Sequence, residues 1–252
     1  MIIQYASDLH LEFPENKGFL KTNPLNPEGE ILVLAGDIVP FAVMDKHADF
    51  FKYASDHFKT TYWIPGNHEY YRFDAVNKSG ILNEKIRDNV FLVNNITVQN
   101  ENIRYIFTTL WSKIRPAYEW QIEKSMNDFY VIKYKGSRFS SVWYNQFHDE
   151  SLLFINHELN NNFPGKTIVI THHVPTFMNY PKKYLGSVLN DAFAVELFDL
   201  IEEKSPDYWI YGHSHCNTPV FIIGKTQLLT NQLGYVMSNE HQLFNTSANF
   251  IV

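Results

Sequence analysis

Five short apolar runs share one property: each stops at a residue able to bind a metal ion. IIQYAS runs into Asp8 and His10, ILVLAG into Asp37, TYWIPG into Asn67 and His68, TIVIT into His172 and His173, and DYWIYG into His213 and His215. Continuous Ile, Val, Leu, Tyr and Trp runs read as strands covered on both faces, as in layered α/β proteins. Ligands in such folds bind beyond the carboxyl ends of the strands, so side chains carried there by five strands converge on one spot. The pattern predicts an α/β fold with one composite polar site.

Between the runs, residues 45–59, 143–162 and 191–204 have helix-like apolar spacing, and Asn190 is placed to cap the third. Residues 218–223 and 226–230 flank Gly224-Lys225 as a hairpin, and FLVNNITVQ and IRYIFTTL, within 90–109, offer a second such pair. Residues 111–142 are polar, aromatic and weakly periodic, and read as an elaborated loop or cap. No repeat, low-complexity tract or linker divides the chain, so a single domain spanning 1–252 is expected. A chain of 252 residues buries roughly 70–75% of its unfolded surface, and an aromatic content of 16% points to a ring-rich interior or groove.

The chain opens MIIQYASDLH, without a basic leader, and no window approaches the roughly 18 apolar residues of a membrane span. A cytoplasmic protein with no membrane partner is expected. Asn77, Asn95 and Asn245 begin NxS or NxT triplets that have no claim to glycans without a secretion signal. The single Cys216 excludes an internal disulfide, fits a reducing compartment and reads as a buried, inert thiol. A net charge of −6 disfavours nucleic acid as a partner. An anionic ligand would then need locally concentrated positive charge.

The candidate metal ligands are Asp8, His10, Asp37, Asn67, His172, His213 and His215. Mixed imidazole and carboxylate donors suit Mn, Fe or Zn rather than Mg or Ca. Seven donors are too many for one ion, and a carboxylate such as Asp37 can bridge two ions roughly 3.5–4 Å apart. Two divalent ions bring +4 and Asp8 and Asp37 bring −2, leaving an excess near +2 that suits a phosphate dianion. An amide at Asn67 in place of a third carboxylate preserves that excess.

DLH at 8–10, GD at 36–37, GNHE at 66–69, THHVP around His172 and GHSH at 212–215 resemble, in order and spacing, the signature of the calcineurin-like metallophosphoesterase superfamily. The resemblance covers most of the chain and is specific as a set. It implies a four-layer αββα sandwich with two divalent or trivalent transition-metal ions at the strand ends. It places Asp8, His10 and His215 on one ion and Asn67, His172 and His213 on the other, with Asp37 bridging. It further implies a metal-bridging hydroxide attacking phosphorus, and His68, not a ligand, protonating the leaving oxygen. TTLW at 108–111, MNDF at 126–129 and TNQLGY at 230–235 look like a subgroup of small bacterial phosphoesterases, and His68-Glu69 differs from the Arg-Asp pair of lipid A precursor hydrolases.

Other polar residues carry weaker expectations. Glu69 is expected to point away and brace its loop, and His173 to support its neighbour or pack. His47, His57, His148 and His157 read as solvated helix faces, and His241 receives no role. Tyr70 and Tyr71 fit either core or pocket entrance, while Arg115, Asn127, Asp128 and Arg138 fit either substrate contact or surface pairing. The expected function is hydrolysis of a small phosphomonoester or phosphodiester. A phosphoprotein phosphatase or nuclease of the same superfamily is the alternative, and a non-catalytic interaction scaffold the reading from another class. Oligomeric state is open.

Overall fold

All five apolar runs are strands in the computed structural model, which describes residues Met1–Val252. In chain order the strands are β1 (Ile2–Ala6), β2 (Ile31–Ala35), β3 (Thr60–Ile64), β4 (Leu82–Arg87), β5 (Val90–Asn94), β6 (Ile96–Asn100), β7 (Ile103–Phe107), β8 (Lys133–Tyr134), β9 (Ser137–Arg138), β10 (Lys166–Ile170), β11 (Tyr208–Tyr211), β12 (Phe221–Ile223), β13 (Thr226–Thr230) and β14 (Asn249–Ile251). The helices are α1 (Pro14–Thr22), α2 (Ala48–His57), α3 (Glu119–Ser125), α4 (Asp128–Val131), α5 (Ser141–Asn160) and α6 (Phe198–Lys204).

Two six-stranded sheets result, ordered β14-β1-β2-β3-β5-β4 and β12-β13-β11-β10-β7-β6. The inner strands of each run parallel and the outermost pair on each edge is antiparallel. Alternate side chains of a strand face opposite ways. Accordingly Ile31, Val33 and Ala35 of β2 meet Tyr105, Phe107 and Ile168 of the second sheet in one core, whereas Leu32 and Leu34 pack with Phe51 of α2 and Leu20 of α1 in another. On the far side, Val169 and Trp209 pack with Ile155 of α5 and Ile201 of α6. These three cores between four layers form the expected αββα arrangement. It brings the carboxyl ends of β1, β2, β3, β10 and β11 to one place.

Several local expectations need correction. The stretch 90–109 is not one hairpin: Asn95 takes a left-handed φ of 48°, so β5 stays in the first sheet and β6 and β7 pair in the second. Asn94 holds the crossing, its Oδ1 accepting from the Thr109 amide at 2.8 Å. The helix expected over 191–204 starts only at Phe198. Val174 instead donates to Phe193 O and accepts from Val195 N, bridging Ala194 between them, and Asn190 sits in a short 3-10 turn, donating to Tyr184 O rather than capping α6.

Two histidines expected on solvated faces are buried. His47 lies at the start of α2, and His148 contacts the Trp111 carbonyl at 3.4 Å. His57 and His157 are exposed as expected. Cys216 is half-buried rather than buried. Residues 111–142 are less loop than expected: Trp111, Ile122, Phe129, Ile132 and Phe139 are buried in the core beneath the first sheet. This anchors the cap and leaves residues 125–128 at the mouth of the strand ends.

Candidate metal centre

The chain turns sharply at the strand ends. Asp8, His10, Asp37, His213 and His215 all adopt left-handed φ values, between 47° and 74°. Side chains other than Gly, Asn and Asp rarely take this conformation, and it persists only where the surroundings dictate it. Here backbone bonds from Asp8 N to Gly36 O and from His10 N to Asp37 O, each 2.9 Å, tie the loops together. Glycines permit the close approach. A Cβ on Gly66 would stand 2.6 Å from His172 Nε2 and collide with Asp37 Oδ1, and one on Gly212 would stand 2.6 Å from Asp8 Oδ2.

The donors fall into two overlapping groups. Asp8, His10, Asp37 and His215 place ligand atoms within 4.8 Å of one another, as do Asp37, His172 and His213. Asn67 Oδ1 lies 3.3 Å from His172 Nε2 and so joins the second group. All seven sequence-predicted donors therefore meet, with Asp37 common to both halves. All are buried except His215, which is nearly so.

Each imidazole has one nitrogen fixed by an acceptor that must receive an N–H. His172 Nδ1 faces Ala35 O at 2.9 Å, His213 Nε2 faces Ala192 O at 3.2 Å, His10 Nδ1 faces Glu12 at 3.2 Å and His215 Nδ1 faces Glu240 at 2.7 Å. The remaining nitrogens point at each other, His10 Nε2 to His215 Nε2 at 2.9 Å and His172 Nε2 to His213 Nδ1 at 3.0 Å. Ring nitrogens facing at that distance share either a proton or a metal ion between them. Backing carboxylates and carbonyls of this kind orient histidines on metals, so the donor set fits a pair of metal ions.

Burial and neighbouring charges pull the imidazoles of this cluster in opposite directions. Burial disfavours a charged His215, but Asp8 and Glu240 outweigh it and push the ring up to about 10. Burial likewise opposes charge on His172, which Asp37 and Asp8 hold at about 9. Burial and the adjacent His172 drive His213 down to about 3.

His68 lies outside both groups of donors but forms a third with His10 and Glu12, their ligand atoms within 4.8 Å of one another. Its Nδ1 is 2.9 Å from Glu12 Oε1, its Nε2 is 3.3 Å from Tyr235 Oη, and its ring stacks on Tyr71 at 4.0 Å. Burial opposes its charge, yet Asp37 and Glu12 raise its pKa above the ordinary value. Glu12 itself is brought down to about 2: burial would raise it, and its bonds to His10 and His68 prevail.

Glu69 braces the loop as expected, its carboxylate accepting from the amides of Asp37, Ile38 and Gly66 at 2.9, 2.7 and 2.6 Å and from Trp63 Nε1 at 3.0 Å. His173 packs on His213 with ring centres 4.1 Å apart. Tyr70 is core, its hydroxyl on Lys78 O.

A cavity of 290 Å³ opens on the cluster, lined by Asp37, Asn67, His68, His213 and His215 and walled by residues 125–128 with Tyr184, Leu189 and Phe193. A larger depression of 590 Å³ between Met44 and Asp88 touches none of the donors. Of the four residues that fitted either substrate contact or surface pairing, Asn127 lines the cavity and Asp128 lies inside it, bonding Asn67 and Tyr71. The two arginines turn elsewhere, Arg115 to Asp191 at 2.8 Å and Arg138 to the Phe129 and Glu123 carbonyls.

Glu12 and Glu240 carry no expectation from sequence, and Tyr235 only its place at the end of TNQLGY. Glu12, two residues beyond His10, has a local signal in DLHLE; Glu240 has none.

The family model for calcineurin-like phosphoesterases matches residues 3–217. Uncharacterized protein L509 of Acanthamoeba polyphaga mimivirus is 33% identical over 273 residues, spanning 98% of this chain and 95% of that protein. Among solved structures, phosphopantetheinyl hydrolase (PptH) from Mycobacterium tuberculosis is similar in fold, with a TM-score of 0.72 at 14% identity, covering 99% of this chain and 95% of that one.

Proposed function

The chain belongs to the calcineurin-like phosphoesterase family, hydrolases that act on phosphoester bonds, and from that membership we propose that it hydrolyses small phosphoesters with a dinuclear metal centre and His68 as general acid. The observation that carries the proposal is the convergence of one ring nitrogen from each of four histidines, the other held by a carbonyl or carboxylate, with Asp8, Asp37 and Asn67. Asp8, His10 and His215 would hold one ion, Asn67, His172 and His213 the other, and Asp37 both. When bound, such a pair activates water near neutral pH and offsets charge on the phosphoryl oxygens.

The chain supplies the proton. The Glu12 carboxylate anchors His68 Nδ1 and leaves Nε2 on the cavity side, beside Tyr235. Stacking on Tyr71 fixes the plane of the ring. A histidine held in this way, with its charge favoured by Asp37 and Glu12, can donate to a leaving alkoxide.

Substrate size follows from the walls. Residues 125–128 with Tyr184, Leu189 and Phe193 wall the 290 Å³ cavity, and a cavity of that size favours a small ester over a phosphoprotein or a nucleic acid strand. No helix is long and apolar enough to cross a membrane. A phosphoester panel on protein reconstituted separately with Mn, Zn and Fe tests the proposal. Metal-dependent release of product supports it, whereas a metal-replete protein inert across monoesters, diesters and cyclic nucleotides favours an interaction scaffold.

A further inference from the structure

His47 is buried at the start of α2, 7% exposed, yet its ring Nδ1 meets no hydrogen-bond partner. Buried polar side chains are nearly always paired, so an orphan of this kind calls for a partner that the chain itself does not supply. Burial and the neighbouring Lys17 hold the ring below the ordinary imidazole value. At pH 8 it is neutral and keeps one N–H to donate.

The ring lines a cavity of 470 Å³ between α1 and α2, which shares no residue with the cavity over the donor cluster. That volume is typical of small-molecule pockets. Residues three and four apart lie on one face of a helix, and here α1 contributes Lys17, Leu20 and Lys21 while α2 contributes Phe50 and Tyr53. Tyr53 Oη donates to Leu25 O at 2.6 Å and so ties α2 to the chain beyond α1. Buried Leu11, Leu20 and Leu25 make much of the wall apolar.

The charged residues of the lining are Lys17, Lys21 and Asp49, which sum to +2 and −1, a local excess of +1 in a chain of net charge −6. Lys17 and Asp49 form only a long, exposed pair at 3.9 Å. Lys21 is exposed on the last turn of α1. A ligand that matches this lining has an apolar body and one negative charge. A carboxylate fits better than a phosphate monoester, which carries nearly two charges at pH 7, and its oxygens accept from ammonium and imidazole N–H groups alike.

We propose that the cavity between α1 and α2 is a second ligand site, taking a free medium-chain aliphatic carboxylate with its head among His47, Lys17 and Lys21 and its chain against Leu11, Leu20 and Phe50.

Octanoate, 1-octanol and octylammonium share one apolar body and differ in the charge of the head. Calorimetric titration of each into manganese-loaded protein at pH 8 is expected to give one octanoate per chain, bound at least tenfold tighter than the other two. Lys21→Glu reverses an exposed charge, and His47→Phe keeps a ring without its nitrogens. Each is expected to weaken octanoate at least threefold, and Lys21→Glu decides alone should His47→Phe fail to fold. Both positions lie outside the donor cluster, so an octanoate held by the metal ions would bind the variants unchanged and overturn the proposal. An octanoate affinity no better than that of octanol, or no binding at all, overturns it too. So does a native chain that sediments as a dimer where Lys21→Glu sediments as a monomer, which gives the cavity to a second copy.

Discussion

The side-chain amide of Asn67 donates to Asp128 Oδ1 at 2.9 Å, which turns the Asn67 oxygen towards His172. Asp128 is buried and its second oxygen accepts from Tyr71 Oη at 3.1 Å. An amide can present either end to an ion, and only the oxygen is a useful donor. Asp128 thus keeps the oxygen of Asn67, rather than its NH2, turned towards His172.

Replacing Asp128 by Leu removes that acceptor at similar volume, and by Asn preserves one. Asp128→Leu is expected to weaken the ion on the Asn67 side by about 10- to 100-fold, as loss of an outer partner does in metal sites. Asp128→Asn should bind both ions nearly as well as the native chain. Titrating manganese into the metal-free variants and counting sites distinguishes the two.

His68 and Glu12 make a kinetic prediction. His68→Ala should keep both ions and lose roughly 10²- to 10⁴-fold in turnover of an alkyl ester, with a much smaller loss for a p-nitrophenyl ester that needs no protonation. The raised pKa of His68 means its proton is present at lower pH and lost as pH climbs through that value. Removing the charge of Glu12 lowers the value, so Glu12→Gln should move the alkaline limb of kcat to lower pH.

Metal-free protein should show a characteristic pH dependence of stability. His215 and His172 rise from an ordinary 6.5 to about 10 and about 9 in the fold. The folded state therefore binds protons that the unfolded chain releases, and the stability they contribute is fully present below pH 6.5 and lost as pH rises from 6.5 to about 10. Bound ions need the same imidazoles neutral, and metal affinity gains as pH rises. Thermal melts of metal-free protein should fall across that window, and those of loaded protein should hold.

Gly66 tests the crowding of the centre. A methyl group there meets Asp37 and His172 together, the donor common to both groups and a member of the second. Gly66→Ala should retain the fold, seen by circular dichroism, while losing most metal at concentrations that saturate the native chain.

Much of this site is legible in the sequence because its chemistry lies along the chain beside its scaffold. Asp8, Asp37 and His172 follow β strands within a few residues, and continuous apolar runs advertise those strands. The illegible parts come from elsewhere in space. Glu240 reaches His215 from a 3-10 turn with no periodicity, and Tyr235 reaches His68 from 167 residues away. Asn95 breaks an apparent hairpin because one left-handed residue sends the chain to the other sheet, and pattern alone does not register that. Residues 191–197 look helical, yet Asp191 and Ala192 end a 3-10 turn and Ala194 bridges to Val174, so the helix begins only at Phe198.

The central claim is that one carboxylate, Asp37, serves two ions at once. Its Oδ2 lies 3.4 Å from His172 Nε2 and 3.8 Å from His10 Nε2, one from each half of the cluster. The direct measurement is metal content per chain, by elemental mass spectrometry after manganese loading and desalting, for the native protein and Asp37→Ala. The account predicts two ions in the native chain and the loss of both in the variant. A native chain that holds one ion or none, or an Asp37→Ala chain that still holds one tightly, would contradict it.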